Sequence, residues 1–179
     1  GLIEESIGYR FKRRQLLFCA LTHGSYAEGL DSHGNPILSV WANFQRMEFL
    51  GDAAIDFCVA RYLFDRYPDL GPGELTDLKS AVVSNEAFAR IAVKHGMHKY
   101  LYARSVSMKR EVDLYVQSLK EEDAVKGEST DSFQWLSERE APKVLGDLFE
   151  AIAGAILVDA GLETVWNVYM KLLEETLRD

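Results

Sequence analysis

The chain has 179 residues, a net charge of −8, 47% hydrophobic and 27% charged residues, four prolines and two cysteines. That is enough apolar material for one globular domain with a sizeable core, and the scarcity of proline favours helices. No apolar run approaches the roughly 18–20 residues that cross a bilayer, and Cys19 and Cys58 lie in apolar runs without CxxC or metal-ligand spacing, so a membrane protein and a disulfide-stapled module are excluded and a reducing setting, cytoplasmic or nuclear, is expected.

The chain opens Gly1-Leu2-Ile3-Glu4, with neither a methionine nor a secretory leader, as a piece of a longer protein would. Its acidity is local. Residues 111–140 hold nine acids and three bases, and this stretch accounts for most of the net charge. A polyanionic partner is therefore not vetoed, although the chain lacks a strong electrostatic footprint of its own.

In chain order, apolar spacing predicts a first helix over residues 9–21, with Phe11, Leu16, Leu17 and Ala20 facing inward. Thr22-His23-Gly24-Ser25-Tyr26 ends it, and residues 29–39, rich in Gly, Asp, Asn, Ser and Pro, predict a loop. A long apolar helix follows over about 43–67 and stops before Pro68. Pro72 and Gly73 introduce another, from near Glu74. Ser84 is placed to cap a helix over 85–95, with Gly96 just past its end. Residues 104–140 read as an acidic, flexible insertion carrying a helix over about 106–120. Pro142 opens a buried helix that Gly161 closes, and 162–177 form a terminal amphipathic helix. The expected fold class is all-α, a single domain over 1–179.

Two segments bury acids inside otherwise apolar helices, and both contain Leu-Gly-Asp. In Glu48-Phe49-Leu50-Gly51-Asp52 the acids are four apart; in Gly146-Asp147-Leu148-Phe149-Glu150 they are three apart. Either spacing places two carboxylates on one helix face, where they repel each other and cost several kcal/mol per ion to desolvate unless paired. Few cations neighbour them in sequence, so a divalent metal is the natural counter-charge. Four hard oxygen ligands suit magnesium or manganese and point to metal-assisted phosphodiester chemistry. A carboxylate pair on a helix is ordinarily a solvated face. Here, however, Phe49, Leu50, Ile55, Leu148, Phe149 and Ile152 leave little polar face to spare. Gly51 and Gly146, each before an aspartate, would let another backbone or a ligand come close.

Gln45-Arg46-Met47-Glu48-Phe49-Leu50-Gly51-Asp52-Ala53 resembles the signature of the ribonuclease III family. Five further segments resemble the same family in the same order: Tyr9-Arg10-Phe11, Leu21-Thr22-His23-Gly24-Ser25-Tyr26, Gly73-Glu74-Leu75-Thr76-Asp77-Leu78-Lys79-Ser80, Val83-Ser84-Asn85, and Gly146-Asp147 with Phe149-Glu150-Ala151. Pro142-Lys143-Val144-Leu145 and the acidic insertion before it are similar to the second (C-terminal) ribonuclease III domain of Dicer. The resemblance implies the ribonuclease III endonuclease fold and magnesium-dependent cleavage of double-stranded RNA, manganese substituting, to 5′-phosphate and 3′-hydroxyl ends. By position it implies that Glu48, Asp52, Asp147 and Glu150 are the catalytic and metal-binding carboxylates. Lys143 sits where Dicer-type domains carry a lysine near the site, an expected phosphate contact or transition-state helper. Gln45 stands where bacterial members usually carry a glutamate, which leaves the four carboxylates intact.

Lys79 and Asn85 are the expected RNA contacts, because A-form RNA is read through shape, phosphate and 2′-hydroxyl groups. His23 is expected to be a structural hydrogen-bonding residue, and Asp56 to serve the site or pair with Arg46 or Arg61. One site cuts one strand, so the resemblance also implies a second ribonuclease III domain, in the same parent chain or as a homodimer. Phe49, Leu50, Ile55 and Val59 are the expected interface. Rival readings fare worse. No Glu-x-x-His pair is present for a di-iron bundle, a catalytically dead module would be expected to have lost a carboxylate, and an acidic interaction role would be confined to residues 111–140.

Overall fold

The computed structural model describes residues 1–26, 38–125 and 140–178. Eight α-helices follow one another among the described residues: α1 (Leu2–Ile7), α2 (Arg14–Leu21), α3 (Leu38–Arg66), α4 (Pro72–Val82), α5 (Asn85–Lys94), α6 (Val106–Val125), α7 (Lys143–Ala160) and α8 (Leu162–Arg178). Short 3₁₀ turns lie at Gly24–Tyr26 and Met97–Tyr100, and the Thr22–Tyr102 bridge is isolated, so the fold is all-α as expected. Several sequence signals operate as read. The Ser84 side chain accepts from the Ala87 amide at 3.2 Å to cap α5, and Gly96 adopts φ 67° just past its end.

The differences are local. The first expected helix is shorter, Arg14–Leu21; a further short helix, α1, precedes it outside the expected range, and residues 9–13 form a non-helical connection in which Phe11 is nevertheless buried. Hydrogen bonds to side chains hold this connection: Glu4 accepts from the Phe11 amide, and Asp159 of α7 accepts from Tyr9 Oη and the Lys12 and Arg13 amides. Helix α3 starts at Leu38, inside the expected loop, and α4 starts at Pro72. Glu74 caps α4 through the Gly71 amide at 2.9 Å. The helix expected over 106–120 is present as Val106–Val125, five residues longer, and its Val112 and Tyr115 are buried against Ala89, Ala141, Val144 and Leu145. Residues 126–139 of that insertion lie outside the described residues.

Helix α7 is the central element. Twelve of its residues are buried, among them Leu145, Leu148, Phe149, Ile152 and Ile156, and it packs on α2, α3, α5 and α8. Phe88 of α5 and Tyr169 of α8 both pack tilted against Phe149, each with ring centroids 4.8 Å away, and Tyr169 Oη donates to the Phe149 carbonyl at 2.6 Å. Where α7 crosses α3 the two backbones nearly touch. A Cβ on Gly51 would lie 1.8 Å from the Glu150 carbonyl oxygen, and one on Gly154 would lie 2.0 Å from the Met47 carbonyl oxygen. Glycine is needed on both helices because the opposing atoms are backbone and cannot rotate away. Replacing Gly154 with alanine is expected to cost about 3 kcal/mol of unfolding free energy, read from the urea midpoint of the far-UV circular dichroism. A wild-type midpoint would contradict this crossing.

Candidate metal centre and its flanking surface

The crossing sets the site. Glu48 and Asp52 lie on α3 on either side of Gly51, and Asp147 and Glu150 lie in the first half of α7, opposite. One oxygen from each of Glu48, Asp147 and Glu150 can be chosen so that all three lie within 4.8 Å of one another. Asp52 lines the same cavity, about 360 Å³, but is more exposed and its carboxylate lies outside that trio. Ser84, Asn85 and Phe88 at the start of α5 complete the wall, and Phe49 stands at the rim. Of these, Ser84 and Phe88 were not singled out from the sequence as site residues. Only the distance between α5 and α7, which is invisible in either segment alone, puts them there.

One cation does reach the acids, which corrects the expectation drawn from neighbours in sequence. Lys143, one turn before Asp147 on α7, donates to Asp147 Oδ1 at 2.6 Å and lies 3.6 Å from Glu48 Oε1, although its side chain is 77% exposed. The Asp147 hydrogen bond is the main reason its ammonium is held more firmly than usual. That single charge does not balance the cluster. Burial, and then Asp147, push the Glu48 carboxyl above its ordinary range. Burial, reinforced by Asp52, Asp147 and Glu48, pushes Glu150 up to about 8. Acids in this state are short of positive charge, and hard oxygen donors converging from two helices suit a divalent cation. The residues present fit such an ion.

The other residues singled out from the sequence have partners within the chain. Lys79 pairs with Asp56 across α3 and α4 at 2.8 Å, so Asp56 does not pair with Arg61, which instead bonds Asp65. The Asn85 amide donates to the Ala141 carbonyl at 2.9 Å. His23 Nδ1 accepts from the Ser25 amide, and the ring packs edge-on to Phe44, a structural role. Ile55 and Val59 are fully buried in the chain's own core and cannot form a docking face. The exposed apolar stripe of α3 runs instead through Phe49, Phe57 and Phe64, which are 80%, 55% and 68% exposed, while Leu50 is half-buried beside it. At about 100° per residue these three fall on one side of the helix, roughly opposite Ile55.

With this geometry in hand, comparison with known proteins places the chain. The family model for the ribonuclease III domain matches residues 45–161, and the chain belongs to the ribonuclease III family. Endoribonuclease Dicer homolog 1 of Arabidopsis thaliana is 41% identical over 174 residues, covering 96% of this chain and 8% of that protein. Endoribonuclease Dicer of Gallus gallus is 39% identical over 178 residues, covering 95% of this chain and 9% of that protein. The chain thus spans less than a tenth of the length of these relatives. Among solved structures, the nuclease domain of ribonuclease III from Campylobacter jejuni superposes with a TM-score of 0.66 at 30% identity, over 97% of this chain and 95% of that one. That structure is described as flexible in a region involved in dimer formation.

The raised Glu150 carboxyl has a consequence for stability. Without metal, the folded chain keeps a proton on Glu150 that the unfolded chain has already released. Folding free energy is therefore lost as the pH climbs from the ordinary glutamate range through about 8. A Glu150→Gln variant escapes this loss. In chelator its melting temperature should rise relative to wild type between about pH 5 and pH 9. A difference independent of pH would contradict the shifted carboxyl.

Proposed function

We propose that this chain is the nuclease domain of a Dicer-like endoribonuclease. It would hydrolyse one strand of double-stranded RNA, leave 5′-phosphate and 3′-hydroxyl ends, and act in small-RNA production. The observation that carries the proposal is the convergence of Glu48, Asp147 and Glu150 across a glycine-lined helix crossing, in an open cavity. Family membership and the length-wide similarity to Dicer enzymes support it.

Glu48, Asp147 and Glu150 would hold magnesium, for which manganese could substitute, with Asp52 completing or orienting the set. When bound, the ion supplies Lewis-acid polarisation of the phosphate and activation of water. The rest of the work belongs to the chain. Burial and the neighbouring acids raise the proton affinity of Glu150, so a bound cation would compete with a proton for its carboxylate. Lys143 keeps an ammonium at the mouth of the cavity, bridging Glu48 and Asp147. From there it can turn to a phosphate oxygen once the acids are otherwise neutralised. Phe49 and Phe88 line the cavity with apolar surface and limit water around the reacting phosphate.

A duplex has two strands, and a second ribonuclease III domain is the partner that would cut the other. The stripe of Phe49, Phe57 and Phe64 is the surface on which that domain would pack, the partner being part of the same parent chain or a second copy of this one.

Two measurements check this. End-labelled duplex RNA should be cut in magnesium and left intact in chelator, and Asp147→Ala should slow cleavage by about three orders of magnitude, the equivalent of the several kcal/mol a metal supplies. Undiminished cutting by Asp147→Ala would sink the assignment. In sedimentation equilibrium, Phe57→Glu should weaken self-association by about 30-fold or more, as loss of an interface anchor does. An unchanged association constant would move the interface elsewhere.

A further inference from the structure

We infer that Asn85 is a positioning residue for the carboxylate cluster: its amide fixes the first turn of α7, and with it Asp147 and Lys143, against Glu48 of α3. The inference rests on reading the cluster as a cation site and adds the element that keeps it assembled. Helix α7 is entered through Pro142, which has no amide hydrogen to bond and no capping side chain. Among the described residues, the side-chain hydrogen bond that ties this entry to the body of the fold comes from Asn85, whose Nδ2 donates to the Ala141 carbonyl at 2.9 Å. The other end of the same amide lies over the helix itself. A Cβ on Gly146 would sit 2.2 Å from Asn85 Oδ1, so glycine is required there to let the amide in. Asn85 thus bonds the chain two residues before α7 and lies against Gly146 in its first turn, with Lys143 between the two points.

The grip is itself well anchored. Asn85 is the first residue of α5, directly after the Ser84 cap, and α5 is locked to α7 through Phe88 and Phe149. Asn85 and Lys143 also form the wall shared by the carboxylate cavity and a second cavity of about 540 Å³ beneath α6. Without the amide, the entry to the first turn of α7 would lose its hydrogen bond to α5. Asparagine meets these demands where leucine, lacking the donor, does not, and aspartate would place a further negative charge against the Ala141 carbonyl and beside the cluster.

The test uses Mn²⁺ as the probe, with free ion counted by electron paramagnetic resonance, on the wild-type chain, Asn85→Ala, Gly146→Ala and the double variant. Thermal unfolding and amide hydrogen exchange in chelator accompany it. Asn85→Ala and Gly146→Ala should each weaken Mn²⁺ binding about tenfold, as loss of an outer support does, and the double variant should be little worse than either, because both break the same grip. Asn85→Ala should also speed exchange at the Gly146 and Asp147 amides about tenfold while Ile152 to Ile156 stay protected and the melting temperature moves by only a few degrees. Unchanged exchange at Gly146 and Asp147, or losses of affinity that multiply in the double variant, would overturn the assignment. If the wild-type chain bound no Mn²⁺, the cation reading would fall, and the exchange measurement would still decide the positioning role.

Discussion

Everything at the site depends on how closely α3 and α7 approach. Helices with side chains at the contact ordinarily keep their axes about 8–10 Å apart. Here Gly51 and Gly154 remove the side chains at the two contact points, and each faces a carbonyl of the other helix. The approach does more than pack. It carries Glu48, one turn before Gly51, to the same cavity as Asp147 and Glu150, which precede Gly154 on α7. A crossing with ordinary spacing would leave the acids as two solvated pairs on separate helices. The large apolar surface of α7, held by Phe88, Tyr169 and the interior of α3, supplies the hydrophobic stabilisation that brings these like charges together.

The electrostatics follow from that enforced proximity. Three converging carboxylates and a fourth nearby have Lys143 as the cation paired with them, and the structure meets the deficit by raising the proton affinity of Glu48 and Glu150. Such a cluster is poised between two neutralising agents, protons and a divalent cation, and its tendency to take the cation grows with pH. Elsewhere the fold satisfies its buried acid differently. Asp159, at the far end of α7, is also desolvated, but hydrogen bonds from Tyr9, Lys12 and Arg13 bring its pKa below the ordinary value. Both ends of one helix thus carry acids. One is fully satisfied and staples the N-terminal segment; the other is left wanting and forms the candidate centre.

Much of this was legible in the sequence because it is periodic and local. Ser84 and Gly96 delimited α5 by capping chemistry, Gly161 closed α7, and acids three and four apart within apolar runs marked the carboxylate faces. What was not legible depends on contacts between distant segments. Gly154 looked like one more small residue in a helix until Met47 was placed against it. Ile55 and Val59 resemble Phe57 and Phe64 in composition, and only the phase of a 29-residue helix, apolar on several sides, separates core from surface. The helix over 2–7 was too short to show a period. The helix expected over 106–120 is present and runs to Val125, but its inward packing through Val112 and Tyr115 depends on contacts with α5 and α7 that the acidic sequence does not show.

The central claim is that the helix crossing builds a seat for a divalent cation. The most direct measurement is anomalous scattering from a crystal of the chain grown in manganese. The strongest peak should lie in contact with carboxylate oxygens of Glu48, Asp147 and Glu150, with the Lys143 ammonium turned away from Asp147. A map with no peak there, and Lys143 still bridging Glu48 and Asp147, would contradict the account.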